Sequence, residues 1–136
     1  MDFGWFDDTT PEDEFGRTTV HEFRHMLGCV HEQFSPGILF KWNEKAVIAE
    51  STDSKQKPPW TESETRFNFN NFKPVDATKY PETTWDPNSI MHHAVKAAWT
   101  MGPWAGPGGK QMDHVDYNNV LSKLNKEFIG WMQPKH

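Results

Sequence analysis

The sequence predicts an α+β domain, mostly helical, and three observations carry that prediction. Several stretches open on helix-capping residues. One short aromatic run, Met1 to Phe6, has strand character. Much of the remainder is loop chemistry without periodicity. For 136 residues one domain is the natural count, and a 35% hydrophobic content makes its core lean. Ten Phe and seven Trp offset that, because each aromatic ring buries a large area.

Taken in order, Met1–Phe6 reads as a strand and the acidic, proline-containing Asp7–Glu14 as a loop. Thr18 or Thr19 is placed to cap a helix running through Leu27. Gln33-Phe34-Ser35-Pro36-Gly37 is turn chemistry. Asn43 caps a helix to about Glu50, with Ala46, Val47 and Ile48 as its apolar content. Ser51–Pro59 is a polar connector. Thr61 and Glu64 then have the spacing of a capping box, opening a short helix to about Phe67. Phe67–Asp86 lacks periodicity and reads as an extended loop, closing on the turn Trp85-Asp86-Pro87-Asn88. Ala94, Val95, Ala97 and Ala98 suit a short helix. Met101–Gly109, with Pro103, Pro107 and its glycines, reads as loop. Ser122 caps a last helix to about Met132, with Leu124, Phe128, Ile129 and Trp131 as its apolar face and Pro134 beyond its end.

The chemistry concentrates in His21-Glu22-Phe23-Arg24-His25-Met26-Leu27-Gly28-Cys29-Val30-His31-Glu32, which has the form H-E-x-x-H-x-x-G-x-x-H. Residues four apart share a helix face, so His21 and His25 can offer their rings to one ion. Glu22 lies about 100° round from His21 and flanks that face without joining the pair. A continuing helix would carry His31 about 240° away from His25, so the chain must bend back. Gly28 is placed to end the helix, since glycine enters the left-handed conformation without a Cβ penalty. Three neutral imidazoles around an open fourth position is the ligand set of catalytic zinc. A Cys29 thiolate is the less favoured ligand, because a fourth protein ligand would close the site.

The motif, with Glu32 directly after its third histidine and Ser89-Ile90-Met91-His92 later in the chain, resembles the astacin-like branch of the metzincin metallopeptidases. The resemblance implies one zincin-like domain over 1–136. Residues 1–32 would be a residual strand and the zinc helix, and 33–136 the C-terminal subdomain. It implies a Zn²⁺ ion held by His21, His25 and His31, with Met91 as the methionine of a supporting turn. It implies a zinc-dependent metalloendopeptidase, hydrolysing peptide bonds in a protein or peptide substrate with zinc-activated water and Glu22 as general base. Such enzymes are typically exported, so an extracellular location is implied by the resemblance alone.

Three positions depart from the family pattern. A tyrosine usually follows the histidine of the methionine turn, and here His93 stands there, open to a role as fourth ligand, transition-state donor or bystander. Arg24 occupies a position that relatives fill with a small residue. Either it reaches solvent or pairs with an acid, for which Asp7, Asp8, Glu12 and Glu14 are candidates, or the metal site is weakened. Most of the N-terminal sheet is missing before the zinc helix, as a truncated product or fragment would be. These departures sustain a second reading, a catalytically impaired or inactive zinc-binding descendant.

Other functions find little support. The formal net charge of −5 without a basic cluster offers no nucleic-acid surface. No apolar run is long enough for a membrane span, and a lone cysteine forms no internal disulfide. The tryptophans are expected in the core and loops rather than in a carbohydrate platform. His92 fits a structural role in the turn, while His114 and His136 read as surface residues.

Overall fold

The computed structural model describes residues 6–79 and 84–132. The strand expected over Met1–Phe6 lies outside these residues except for Phe6, which belongs to no strand; Pro134 and His136 lie outside as well. The architecture is α+β and mostly helical, with a two-stranded sheet.

Helix α1 spans Glu12–Met26 and begins earlier than its threonines suggest. Pro11 takes the cap position with φ −59°, and Glu12, Asp13 and Glu14 crowd the first turn. Proline is pre-set for a helix start, and carboxylates there complement the helix dipole. Thr18 and Thr19 therefore lie inside the helix, where the Thr19 hydroxyl donates to the Phe15 carbonyl. Thr18, His21 and Arg24 are the residues α1 buries, whereas Phe15, Phe23, Met26 and Leu27 remain exposed.

The exit from α1 is built on Gly28, which has φ +81°. The Cys29 amide donates to the Arg24 carbonyl (3.1 Å), and the Gly28 amide donates to that of His25 (3.0 Å). This pair of bonds is a Schellman motif, which satisfies helix-end carbonyls and turns the chain sharply. Residues Glu32–Phe34 then form a 3₁₀ turn.

Helix α2 (Glu44–Ser51) is capped by Asn43, whose side chain accepts from the Ala46 amide. Helix α3 (Glu62–Asn68) carries the reciprocal capping box of Thr61 and Glu64. These two helices agree closely with the capping signals. The segment read as continuous loop after Phe67 contains a 3₁₀ turn at Asn70–Phe72, where all three residues have positive φ.

The Met101–Gly109 segment is not all loop. Strand β1 (Trp104–Ala105) pairs antiparallel with β2 (Gln111–Met112), Trp104 opposite Met112. Single bridges Trp42–Thr100 and Val95–Val115 extend this framework, and the short helical turn lies at Ala97–Trp99. Helix α4 (Lys123–Met132) starts after Ser122, whose hydroxyl accepts from the Asn125 amide.

The core cluster joins Phe40, Trp85, Val95, Trp104 and Val115, with Ile38, Trp42, Trp99 and Met112 packed on it. Trp85 and Trp104 thus supply bulk that the aliphatic content cannot. Trp131 on α4 is an exception, 79% exposed where an apolar face was expected, while polar Asn125 is buried.

A Cβ added at Gly28 would meet nothing within 4 Å, so substitution there strains only the backbone. Gly28→Ala is expected to lower stability by about 1–2 kcal/mol through its left-handed conformation. Urea unfolding of the metal-free chain measures this.

Candidate metal centre

The α1 register and its Schellman exit bring His21, His25 and His31 into one group, with one ring atom of each within 4.8 Å of the others. The His25 Nε2 lies 3.2 Å from His21 Nε2 and 3.1 Å from His31 Nε2. Cys29, although between them in sequence, is not in the group.

The backbone fixes which ring nitrogens carry protons. The His21 Nδ1 is 2.8 Å from the Ile90 carbonyl, and the His25 Nδ1 is 2.9 Å from the Cys29 carbonyl. A carbonyl only accepts, so each Nδ1 must donate, and neutral rings then present bare Nε2 lone pairs. Two such acceptors 3.2 Å apart have no hydrogen between them and repel. A cation among them removes the conflict. Tetrahedral ligands at Zn–N distances of 2.0–2.1 Å would stand about 3.3 Å apart, close to the spacing seen. The residues present therefore fit a metal ion.

Burial favours the neutral form of His21 and His31. His31 is pushed down to about 3, first by desolvation and then by the fields of His93, His25 and His21. His21 is lowered by desolvation, against the Ile90 carbonyl and the Glu22 carboxylate, which raise it. Glu22 is half-buried on α1, and its carboxylate is near enough to act on His21 electrostatically.

The segment Ser89–His93 is the second support. Ile90, Met91 and His92 are each about 1% exposed, and Ser89 is fully buried. Asn125 accepts from the Ile90 amide (2.9 Å) and donates to the Ser89 hydroxyl (2.9 Å). Since the Ile90 carbonyl orients His21, α4 reaches the histidine group through a single residue of the turn. The loop after His31 is tied to the same turn from the other side. The Glu32 amide donates to the Met91 carbonyl, and the Asp86 amide donates to Glu32 Oε1 (both 3.0 Å). Gln33 Oε1 accepts from the His93 amide at 3.1 Å. Burial raises Glu32 to about 7, with Asp86 adding to the rise.

His92 is structural, as its place in the turn predicts. Its Nε2 accepts from the Trp85 indole (3.2 Å) and its Nδ1 lies 2.6 Å from the His93 carbonyl. His93 sits beside the group, with its ring centroid 4.3 Å from that of His31 and 5.5 Å from that of His21. Part of the residue is open to solvent, yet its ring lies among imidazoles, and desolvation with His21 leading the charge effects pushes it down to about 4.

Arg24 neither escapes to solvent nor pairs with one of the four candidate acids, which leaves the third alternative, a weakened site. Arg24 is 5% exposed, and Nη2 donates to the Cys29 sulfur at 3.6 Å. None of the four candidate acids takes it up; Glu14 binds Arg17 instead. Asn125, Gln33 and Asp86 were not singled out from sequence. Their only signal is that polar residues border the two motifs, which many surface residues also do.

The fold and the histidine group define a compact α+β domain with a potential three-imidazole metal centre. No protein-family model matches the chain, and no curated protein matches it. Among solved structures it is similar to "Structure of myroilysin", with 32% identity and a TM-score of 0.75 over 100% of this chain and 60% of that one. A second, "Crystal structure of myroilysin", has 32% identity and a TM-score of 0.56, covering 99% of this chain and 53% of that one. The chain thus spans little more than half the length of those proteins.

An unfolded imidazole titrates near 6.5, whereas His92 is pushed down to about 4 by burial. Its contribution to stability is complete above pH 6.5 and is lost as pH falls toward 4. Glu32 acts with the opposite sign, losing its contribution as pH rises through 7. Between pH 7 and 5, His92→Asn should therefore reduce the stability loss of metal-free protein by about 2 kcal/mol. Urea unfolding at the two pH values measures the difference.

Proposed function

We propose that the chain is a zinc-dependent metalloendopeptidase of astacin-like, metzincin type, with one zincin-like domain over residues 1–136. The observation that carries this reading is the convergence of three imidazole nitrogens, two of them bare acceptors 3.2 Å apart. Its likeness to myroilysin over the whole chain suggests a metallopeptidase.

In this reading His21, His25 and His31 hold Zn²⁺, and Met91 belongs to the turn that supports them. A zinc ion bound there supplies Lewis acidity, lowering the pKa of water to about 7 and polarising a peptide carbonyl. Glu22 takes the proton from the attacking water and passes it to the leaving amine, first base and then acid. His93 lies beside His31, where a ring N–H would donate to the carbonyl oxygen as negative charge develops. Beside His31 and His93 opens a cavity of about 550 Å³ with Trp42, Phe69, Trp99 and Tyr117 among its walls. Its volume suits a peptide side chain, and the aromatic walls favour an apolar one.

A second reading, a zinc-binding descendant without turnover, draws on His93 in place of a phenol and on buried Arg24. One experiment separates the two. Zinc-loaded protein should contain one ion per chain and cleave an unstructured protein such as casein. Glu22→Gln should keep the zinc and lose activity by about a hundredfold or more. Zinc without Glu22-dependent cleavage would establish the inactive descendant, and absence of zinc would remove the proposal.

A further inference from the structure

The cavity beside His31 and His93 is rich in aromatic rings, yet an ion pair also belongs to its lining. Glu50 comes from α2, and Lys96 directly precedes the short helical turn Ala97–Trp99. Lys96 Nζ bonds Glu50 Oε1, while the Trp99 indole donates to Glu50 Oε2 at 2.8 Å. Both carboxylate oxygens are therefore engaged, one by a cation and one by an aromatic wall. The bond from Lys96 holds the Glu50 carboxyl below its ordinary range, so the pair is charged at neutral pH.

The rings are arranged around this pair. The Lys96 ammonium lies 5.0 Å from the Trp99 ring centroid. Trp99 stands edge-on to Phe69, with 5.7 Å between centroids, and Phe69 stands edge-on to Trp42 at 5.3 Å. All three rings line the cavity. The Glu50 side chain is 33% exposed and that of Lys96 59%, so the pair adds little to stability. Its effect lies in the charge the cavity presents. Lys57 is an exposed residue of the same lining, and its charge is common to every comparison below.

We propose that Glu50 is a specificity-determining residue of this cavity. By holding Lys96 it leaves the rings to select the ligand, and the cavity takes a neutral aromatic side chain next to the cleaved bond. A phenyl or indole group buries area there and meets rings already set for edge-on contact. A carboxylate would lose hydration against a lysine that Glu50 has already satisfied. The inference rests on the peptidase reading for its substrate, so its test also follows binding without cleavage.

The test uses the zinc-loaded chain and peptides carrying Phe, Asp or Lys beside the cleaved bond, on either side. In the parent, kcat/KM for the Phe peptide should exceed that for Asp by about tenfold or more. Glu50→Gln keeps an acceptor for the Trp99 indole but frees Lys96. It should lower the Phe-to-Asp ratio by about fivefold or more. Lys96→Met should shift selectivity the other way, raising the Lys peptide relative to Phe. Glu50→Gln combined with Lys96→Met should restore the parent order, which a general packing defect would not do. Both side chains are part-exposed, so the variants are expected to fold; should Glu50→Gln not fold, the parent ratio and Lys96→Met decide. The same ratios are read without turnover from tryptophan fluorescence, with the α-amides of N-acetylphenylalanine, N-acetylaspartate and N-acetyllysine as probes. Phe-selective, Glu50-dependent binding without cleavage would remove the peptidase reading and retain this one. An Asp preference in the parent, an unchanged ratio in Glu50→Gln, no restoration in the double variant, or neither binding nor cleavage would overturn the proposal.

Discussion

Two imidazole acceptors facing each other without a hydrogen between them are the constraint on which the rest of this structure depends. The Ile90 and Cys29 carbonyls force the His21 and His25 protons onto Nδ1, so both Nε2 atoms are bare. In a buried setting this arrangement is unfavourable unless a cation sits among the rings. The geometry therefore fits a metal ion better than a packed histidine cluster. It also explains why the surrounding backbone is so heavily specified. A carbonyl that sets a tautomer must itself be held still, as outer contacts to metal-binding histidines generally are.

That holding is done by polar groups rather than by apolar packing. Asn125 fixes the Ile90 amide and the Ser89 hydroxyl, Ser122 reaches Asp86, and Gln33 receives the His93 amide. The aromatic core around Trp85 and Trp104 joins the turn at His92, which accepts from the Trp85 indole. Packing and hydrogen bonding thus meet at one five-residue segment, 89–93. Helices α1 and α4 meet it through His21 and Asn125. The chain can be lean in aliphatic residues and still position three rings, because the few positions that matter are pinned individually.

How much of this was legible beforehand follows from the range of each signal. The caps at Asn43, Thr61 and Ser122 act within three residues, and their helices appear where the sequence places them. The bend at Gly28 was also readable, since it answers a local demand for positive φ. The start of α1 was misread because a threonine is an equally good cap. Pro11 with three following acids prevailed by combining a fixed φ with dipole charge. The β1–β2 hairpin was missed because strands of two residues carry no periodicity. The fate of Arg24 was beyond reach: its burial depends on α4, more than a hundred residues away in the chain. The roles of Asn125 and Gln33 depend on similar long-range pairings, which no spacing within a motif encodes.

The most direct test of the account is X-ray absorption at the zinc edge on the purified, zinc-loaded chain. The account predicts three imidazole nitrogens at about 2.0–2.1 Å, a light-atom ligand completing the shell, and no sulfur. A sulfur shell at about 2.3 Å would place Cys29 on the metal and contradict it, as would failure to retain zinc.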